Sequence, residues 1–380
     1  MWQGRKVWRE VARNDVIGSR RGGACASRGN LDTRQKTVFT WVGRALRATP
    51  LQGRKILSTD RRGCEGPQPS SLTAALPVTI ALGLDLLLGD PPHWPHLARL
   101  TGWLSERYEE QLTKRAPRTV TLGVVFWFAV VGTVVILYLL VRRCSILIDP
   151  RAALLFDTVV IYQAIAAKDL HDHAEAVLES LVQQDLAGAR DRLSWLVGRD
   201  TQSLDEAEIA RAVIESVAES LTDGIIAPLF WSMIGGAPAA LIYRAANTLD
   251  SMVGHRTYAY EKFGKASAYI DDFLNWAPAR ICGVLFCLGE RKRLLGTIRA
   301  EAASHASPNA GWGESAMAHV LGVRLGGDNF YDGKLARGPV FNPAGHRPEV
   351  EDIRKSLKWM WRISAMGAGL ILVIALSISK

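Results

Sequence analysis

The chain has 380 residues, 48% of them hydrophobic, with a formal net charge of +9 at pH 7 and five cysteines. The basic excess sits at one end: residues 1–70 hold 15 Lys+Arg against 5 Asp+Glu, and the remainder is close to neutral. Net charge is therefore no argument for a nucleic-acid partner, and none is expected. Cys25, Cys64, Cys144, Cys282 and Cys287 form no CxxC pair, which removes a disulfide framework and a zinc site.

Residues 1–70 are rich in Arg and Gly, lack helical or strand periodicity and contain no apolar core of signal-peptide length, so they read as a disordered basic extension. Met1 is the only methionine before Met233, and an alternative start codon near Leu72 or Val78 would make the extension an artefact of start assignment. Residues 71–380 form the folded part. Within it, 119–141 is an uncharged 23-residue block long enough to span a bilayer, and 363–379 is a second uncharged run. Three more apolar segments are interrupted: 74–88 by Asp85, 152–167 by Asp157, and 225–246 by Gly, Pro and Arg244. In a bilayer such interruptions face a cavity or other helices, because lipid satisfies neither charge nor broken backbone. The fold class expected is all-α, a polytopic integral membrane protein whose polar helices and loops form a cavity beside the membrane.

Between the apolar segments, 152–189 reads as one long helix, with Leu170, His173, Ala174, Val177, Leu178 and Leu181 on one face. His173 is then a hydrogen-bonded core histidine, and His171 points towards Glu175. Residues 193–201 read as a loop, and Ser203 with Glu206 as a capping box that opens a helix over 204–221. Residues 224–252 are a broken apolar segment that ends in a polar cluster, 267–281 carries "DDFLN", and 305–315 and the Gly-rich 325–333 are loops before the last span.

The stretch "GDPPHWPH" (89–96) follows the first apolar segment. Asp90, His93 and His96 could suggest a metal site, but Pro91, Pro92 and Pro95 forbid a helix that would align them, and no further nitrogen or sulfur ligand stands nearby. It reads as a proline-braced loop at a helix end, with Trp94 near the interface and Asp90, His93, His96 and Arg99 turned to a polar cavity. Three polar constellations follow. Glu215, Glu219 and Asp223 recur at i, i+4 and i+8, either as a solvated face paired with Arg211 or as a Mg²⁺ site facing phosphate. Asn247 and Asp250 with Asp271, Asp272 and Asn275 offer oxygen ligands for a hard cation, or plain helix caps. His305, Asn309 and Glu314 lie in a Gly/Pro loop, where turn chemistry is the simpler explanation. No Walker loop, GxGxxG, HExxH or GxSxG is present.

Six ordered stretches, "DLLLGDPPHWPHLARLTG", "LSWLVGRDTQSL", "RAVIESVAESLTDGIIAPLFW", "GGAPAALIYRAANTLDSMVGH", "DDFLNWAPARI" and "HASPNAGWGESAMAHVLGVRLGG", resemble the integral-membrane adenosylcobinamide-phosphate synthases of cobalamin biosynthesis, the CobD/CbiB type. The resemblance covers roughly residues 76–360, with departures at Leu97, Ser220 and Tyr269 that leave the carboxylates untouched. It implies ATP-dependent amide ligation of (R)-1-aminopropan-2-ol phosphate, or aminopropanol, to the propionate f carboxylate of adenosylcobyric acid. ATP and Mg²⁺ are the implied cofactors, without zinc or haem. The implied partners are the corrinoid, the amine, the lipid bilayer of the cytoplasmic membrane and other late cobalamin-assembly membrane enzymes.

By the same resemblance, Asp250, Glu215, Glu219 and His305 are the expected catalytic groups. Asp223, Asp271 and Asp272 are the expected Mg²⁺ ligands. Asp90, His93, His96, Arg99, Arg199, Asp200, Arg244, Asn247, Arg280 and Asn309 are expected to bind substrate and phosphate, with His93, His96 or His305 as the proton acceptor. A non-catalytic membrane sensor or scaffold of the same fold is the alternative. A transferase acting on a phosphorylated lipid, suggested by "DDFLN" alone, is a weaker one.

Overall fold

The uncharged run at 119–141 forms the cap and the first three-quarters of a 29-residue helix, α3 (Val120–Ile148), opened by Thr119, whose hydroxyl accepts the Leu122 N–H at 3.2 Å. One side of it, with Phe126, Val130, Val134 and Tyr138, is buried, while Phe128, Ile136, Leu139 and Leu147 on the other side are exposed. An apolar helix with an exposed apolar face has lipid as its solvent. The computed structural model describes residues 71–380 apart from 92–93, 256, 291–293 and 379–380. The expectations for the basic extension and for His93 lie outside the described residues.

Before α3 come α1 (Ser71–Leu88) and α2 (Leu97–Thr113), and the described residues of the "GDPPHWPH" stretch between them are not helical. After it, the long helix expected over 152–189 is three: α4 (Pro150–Ala164), α5 (Ala167–Val182) and α6 (Leu186–Leu196). The first break is a tertiary effect. Ile165 is extended, and the Ala166 N–H leaves the helix ladder to donate to the Gly224 carbonyl at 3.0 Å. The second is local: Gln184 takes φ 59°, and Asp185 caps α6 by accepting the Gly188 N–H at 2.8 Å. Helix α6 therefore runs into the segment expected to be loop.

Next is α7 (Glu206–Leu221), whose cap is Asp205, accepting the Glu208 N–H at 2.9 Å, and not the expected Ser203–Glu206 box. A π turn at Thr222–Ile226 continues into α8 (Ala227–Val253). Among the described residues three stretches are long and apolar enough to cross a bilayer: Val120–Ile148, Glu206–Val253 and Val350–Ile374. The middle one is not a straight rod. The Tyr243 hydroxyl donates to the Asp223 carbonyl at 3.0 Å, and Asn247 Nδ2 lies 3.3 Å from Asp223 Oδ2. In an unbroken helix residues 223 and 247 would stand about 36 Å apart. The chain folds back at Gly235 and Gly236, the latter at φ 63°, ψ −153°, a conformation open only to glycine. The expected broken apolar segment is thus an antiparallel helical hairpin with its apolar tip at "GGAP".

The hairpin is wrapped by α2, α3, α4 and by α9 (Lys265–Glu290). Then follow α10 (Leu294–Ala302), α11 (Ala310–Leu321) and α12 (Val350–Ile378), with four short strands between the last two: β1 (Leu325–Gly326), β2 (Asn329–Tyr331), β3 (Lys334–Ala336) and β4 (Val340–Phe341). Strands β2 and β3 form an antiparallel hairpin around Asp332 and Gly333, both at positive φ, and β1 pairs antiparallel with β4. The protein is an all-α membrane protein with this small β appendage.

The fold-back makes a topological prediction. In a cysteine-free background, Ser203→Cys and Thr257→Cys, both exposed, should react with a membrane-impermeant thiol reagent from the same side. Labelling from opposite sides would mean that Glu206–Val253 crosses as a rod.

Candidate functional site

The base of the helical hairpin gathers carboxylates. Asp223 lies in the π turn, whose carbonyls at 223 and 224 are taken up from outside by Tyr243 and Ala166. Such turns concentrate at functional sites, because they free backbone groups and re-aim side chains. Asn247 Nδ2 is shared between Asp223 Oδ2 and Asp271 Oδ1, each at 3.3 Å, and Asn275 donates to Asp271 Oδ2 at 3.0 Å. Asn275 is held in turn by the Tyr243 hydroxyl at 2.9 Å. Asp250 stands within electrostatic reach of Asp223, Asp271, Asp272 and Glu219. Five carboxylates from α7, the π turn, α8 and α9 therefore share one region, and Asp223 and Asp271 within it are held by the neutral amides of Asn247 and Asn275. Neutral donors orient a carboxylate without cancelling its charge, so the set has an outstanding demand for a cation. Asn247 Oδ1, buried and without a hydrogen-bond partner among the described residues, adds a neutral oxygen ligand. Among the described residues no three His, Cys, Asp or Glu groups already stand as a closed ligand cage. Mg²⁺ needs only one or two carboxylates, leaving its other positions to water and phosphate.

Further along the second arm of the hairpin, Arg244 is 1% exposed, and its guanidinium faces the charges of Asp223 and Asp90. Asp90 belongs to the "GDPPHWPH" loop, which α4 pins in place. The Tyr162 hydroxyl donates to the Gly89 carbonyl, Gln163 Nε2 donates to the Pro95 carbonyl at 2.9 Å, and Gln163 Oε1 accepts the Leu97 N–H at 3.1 Å. His96 is the N-cap of α2: its Nδ1 accepts the Ala98 N–H at 3.1 Å, which leaves the Nε2 side 3.2 Å from Asp90 Oδ1. Burial pushes the Asp90 carboxyl up, but the His96 contact and the Arg244 charge together hold it below the usual carboxylate range. Arg99 is exposed and folds back on the Pro91 carbonyl at 3.3 Å, bracing the loop from outside.

Glu215 is held quite differently. Its carboxylate is bonded by Arg199, by Arg211 at 3.1 Å and by the Gly326 N–H at 2.7 Å. Arg199 and Arg211 both also donate to Asn329 Oδ1, at 2.8 and 2.9 Å. Asp200 accepts the N–H groups of Asp332 and Gly333 at 3.2 and 2.8 Å. Arg199, Asp200 and Glu215 thus clamp the β2–β3 region onto α7, so the expected stripe of Glu215, Glu219 and Asp223 is divided. Glu215 is a buried ion-pair hub, not part of a solvated face; Glu219 is exposed, and Asp223 belongs to the hairpin cluster.

The "HASPN" loop meets "DDFLN" directly. Asn309 donates to the Asp272 carbonyl at 2.8 Å, and Arg280 donates to Asn309 Oδ1 at 3.1 Å while its guanidinium lies 4.4 Å from the Trp276 ring centre. His305 Nδ1 accepts the Ser307 N–H at 3.0 Å, and its Nε2 lies 3.8 Å from Glu314 Oε1. Burial, reinforced by the charges of Glu215 and Glu219, pushes the Glu314 carboxyl well above its ordinary value. Glu314 reaches that place because α11 crosses α7 closely: a Cβ on Gly313 would stand 2.6 Å from the Ala218 carbonyl.

Asp223, Asp250, Asp271, Asp272, Glu219 and Asn247 are therefore brought together, with Asn309 and Arg280 attached through Asp272 and Asp90 and His96 attached through Arg244. Sequence reading missed Tyr243 and Asn329, which act through partners far along the chain that no local pattern announces. It also misplaced His171, which accepts from Trp361 Nε1 at 3.2 Å, and His173 is half-buried, on the Asp169 carbonyl at 2.8 Å.

A family model described as "CobD/Cbib protein" matches residues 78–360. The chain is 40% identical over 309 residues to "Cobalamin biosynthesis protein CobD" of Rhodobacter capsulatus, covering 79% of this chain and 96% of that one. It is 41% identical over 296 residues to the protein of that name from Halalkalibacterium halodurans, covering 75% and 91%. It is 37% identical over 309 residues to "Cobalamin biosynthesis protein CbiB" of Salmonella typhimurium, covering 79% and 97%. No solved structure matches.

The division of the acidic stripe predicts a stability difference. Glu215→Ala strands two buried guanidinium groups and should cost about 3–5 kcal/mol, the usual result of removing one partner of a buried ion pair. Glu219→Ala, at an exposed position, should cost about 0.5 kcal/mol or less. Thermal unfolding of the detergent-solubilised protein measures both.

Proposed function

The chain belongs to the CobD/CbiB protein family, and we propose that it serves cobalamin biosynthesis as an adenosylcobinamide-phosphate synthase. In this reading it joins the amine of (R)-1-aminopropan-2-ol phosphate, or of aminopropanol, to the propionate f carboxylate of adenosylcobyric acid, with ATP consumed. It crosses the cytoplasmic membrane more than once and presents its polar loops to cytoplasmic ATP. The observation that carries the proposal is the set of carboxylates held by neutral donors at the base of the hairpin, with cationic Arg244 and Arg280 on either side.

The chemistry explains why both kinds of group are needed. A carboxylate is a poor electrophile and is most simply activated as an acyl phosphate, formed as ADP leaves; the amine then attacks the acyl carbon and phosphate departs. Asp223, Asp250 and Asp271, with Asp272 and Glu219 beside them, would hold Mg²⁺, which when bound supplies positive charge to the phosphates. Arg280, its guanidinium set by Trp276 and Asn309, presents fixed donors to phosphate oxygens. The attacking amine must lose a proton. His305 can take one up on Nδ1 only by giving up the Ser307 N–H. Glu314, buried with Oε1 3.8 Å from Nε2, would receive a proton passed on from the ring.

Membranes containing the protein, incubated with adenosylcobyric acid, Mg-ATP and (R)-1-aminopropan-2-ol phosphate, should yield adenosylcobinamide phosphate. Chelation of Mg²⁺ should stop the reaction. Asp250→Asn should abolish ligation while membrane insertion is retained. Absence of product from folded wild-type protein would leave the membrane scaffold reading in its place, and a fully active Asp250→Asn would remove that residue from the scheme.

A further inference from the structure

Arg244 is buried within an apolar hairpin, and among the described residues none of its three guanidinium nitrogens has a hydrogen-bond partner. Asp90, with a side chain 9% exposed, meets the His96 imidazole 3.2 Å from Oδ1, and its Oδ2 has no hydrogen-bond partner among the described residues. The two groups have opposite charge and feel each other electrostatically, yet they do not bond to one another. Buried charges ordinarily satisfy each other or are lost, because each unmet donor or acceptor carries its full desolvation cost. Neither group is loose. The Asp90 loop is fixed by Tyr162 and Gln163, and His96 is turned against Asp90 by its bond to Ala98. Arg244 is locked between helices on α8, one turn from Asn247 of the carboxylate cluster.

We propose that Arg244 and Asp90 together bind the small amine substrate as a zwitterion, Arg244 taking its phosphate and Asp90 its ammonium group. The inference rests on the synthase reading and deepens it. A polyphosphate alone is a poor match for this pair, since Asp90 and Asp223 repel what Arg244 attracts. A simple amine is a poor match for the converse reason. A molecule that carries both charges on a short carbon chain meets the unsatisfied donors and the unsatisfied acceptors at once. His96 acts here as a positioning residue for Asp90, not as a metal ligand.

The test is binding to the purified full chain in detergent, without ATP or corrinoid, followed by calorimetry with four probes: (R)-1-aminopropan-2-ol phosphate, (R)-1-aminopropan-2-ol, isopropyl phosphate and inorganic phosphate. Wild type should bind the phosphorylated amine at least about tenfold more tightly than any of the other three, the scale of one charge-assisted hydrogen bond. Arg244→Gln should erase the preference over the free amine, Arg244→Lys should restore part of it, and Asp90→Asn should erase the preference over isopropyl phosphate. In turnover, both sites should raise the KM for the amine and leave the KM for ATP unchanged. Equal wild-type binding of the phosphorylated amine and the fragments overturns the proposal even where no variant folds. So does an unchanged preference in folded Arg244→Gln. If wild type still ligates under those outcomes, the synthase reading stands and this inference alone falls. If it neither ligates nor binds any probe, both fall.

Discussion

Asp223 is hydrogen-bonded to Asn247, and a straight helix would hold the two about 36 Å apart. That one contact requires the chain to reverse at Gly235 and Gly236, and most of the remaining architecture follows from the reversal. It lays Tyr243, Arg244, Asn247 and Asp250 beside the π turn that carries Asp223. It leaves an apolar tip for the hydrocarbon and polar groups at the base, where water and solutes can reach. Irregular backbone at membrane depth is stable only when packed protein supplies its missing partners. Here α4 does so through the Ala166 N–H, and Tyr243 does so from the opposite arm.

The two families of buried carboxylate show what kind of charge the protein keeps and what kind it uses. Glu215 is met by two guanidinium groups and a backbone amide, so its charge is neutralised inside the fold. Its bonds clamp the β2–β3 appendage onto α7. Asp223 and Asp271 receive only amide donors from Asn247 and Asn275, which fix orientation and leave the negative charge in place. Packing like charges together is unfavourable unless a cation joins them. The same residue type in two surroundings therefore has two roles, and it is the donor's charge that separates them, not the spacing along α7.

The helical class and the first and last spans were legible because an uncharged apolar run of bilayer length has few alternatives. The carboxylates were legible as a list, since Asp and Asn at the end of an apolar segment stand out. Their grouping was not. Glu215, Glu219 and Asp223 share a helical period, yet the partners that decide their fates, Arg199, Asn329 and Asn247, come from other elements. The breaks in 152–189 were hidden for a related reason: Ile165 and Ala166 are good helix interior residues, and only the carbonyl of Gly224 pulls the chain out of register. At the α7 cap, Asp205 and Ser203 are both able caps, and geometry two residues apart is beyond what a local pattern resolves. His171 shows the same limit, since Trp361 lies 190 positions away in the chain.

Arg244 is a costly group to bury. A guanidinium taken from water into an apolar hairpin loses several kcal/mol of solvation, and the fields of Asp90 and Asp223 return part of that without supplying a hydrogen bond. An apolar residue of similar volume would serve packing better, so packing does not explain an arginine here. Anchoring does not explain it either, because an anchoring arginine is bonded at both ends of its fork, as Arg199 and Arg211 are. What an unbonded, rigidly placed guanidinium provides is a set of donors already desolvated and aimed before any ligand arrives. The ordering cost of binding is then met in folding. On the other side α4 holds the Asp90 loop in place through the Gly89 and Pro95 carbonyls, so that acid too is positioned before any ligand arrives.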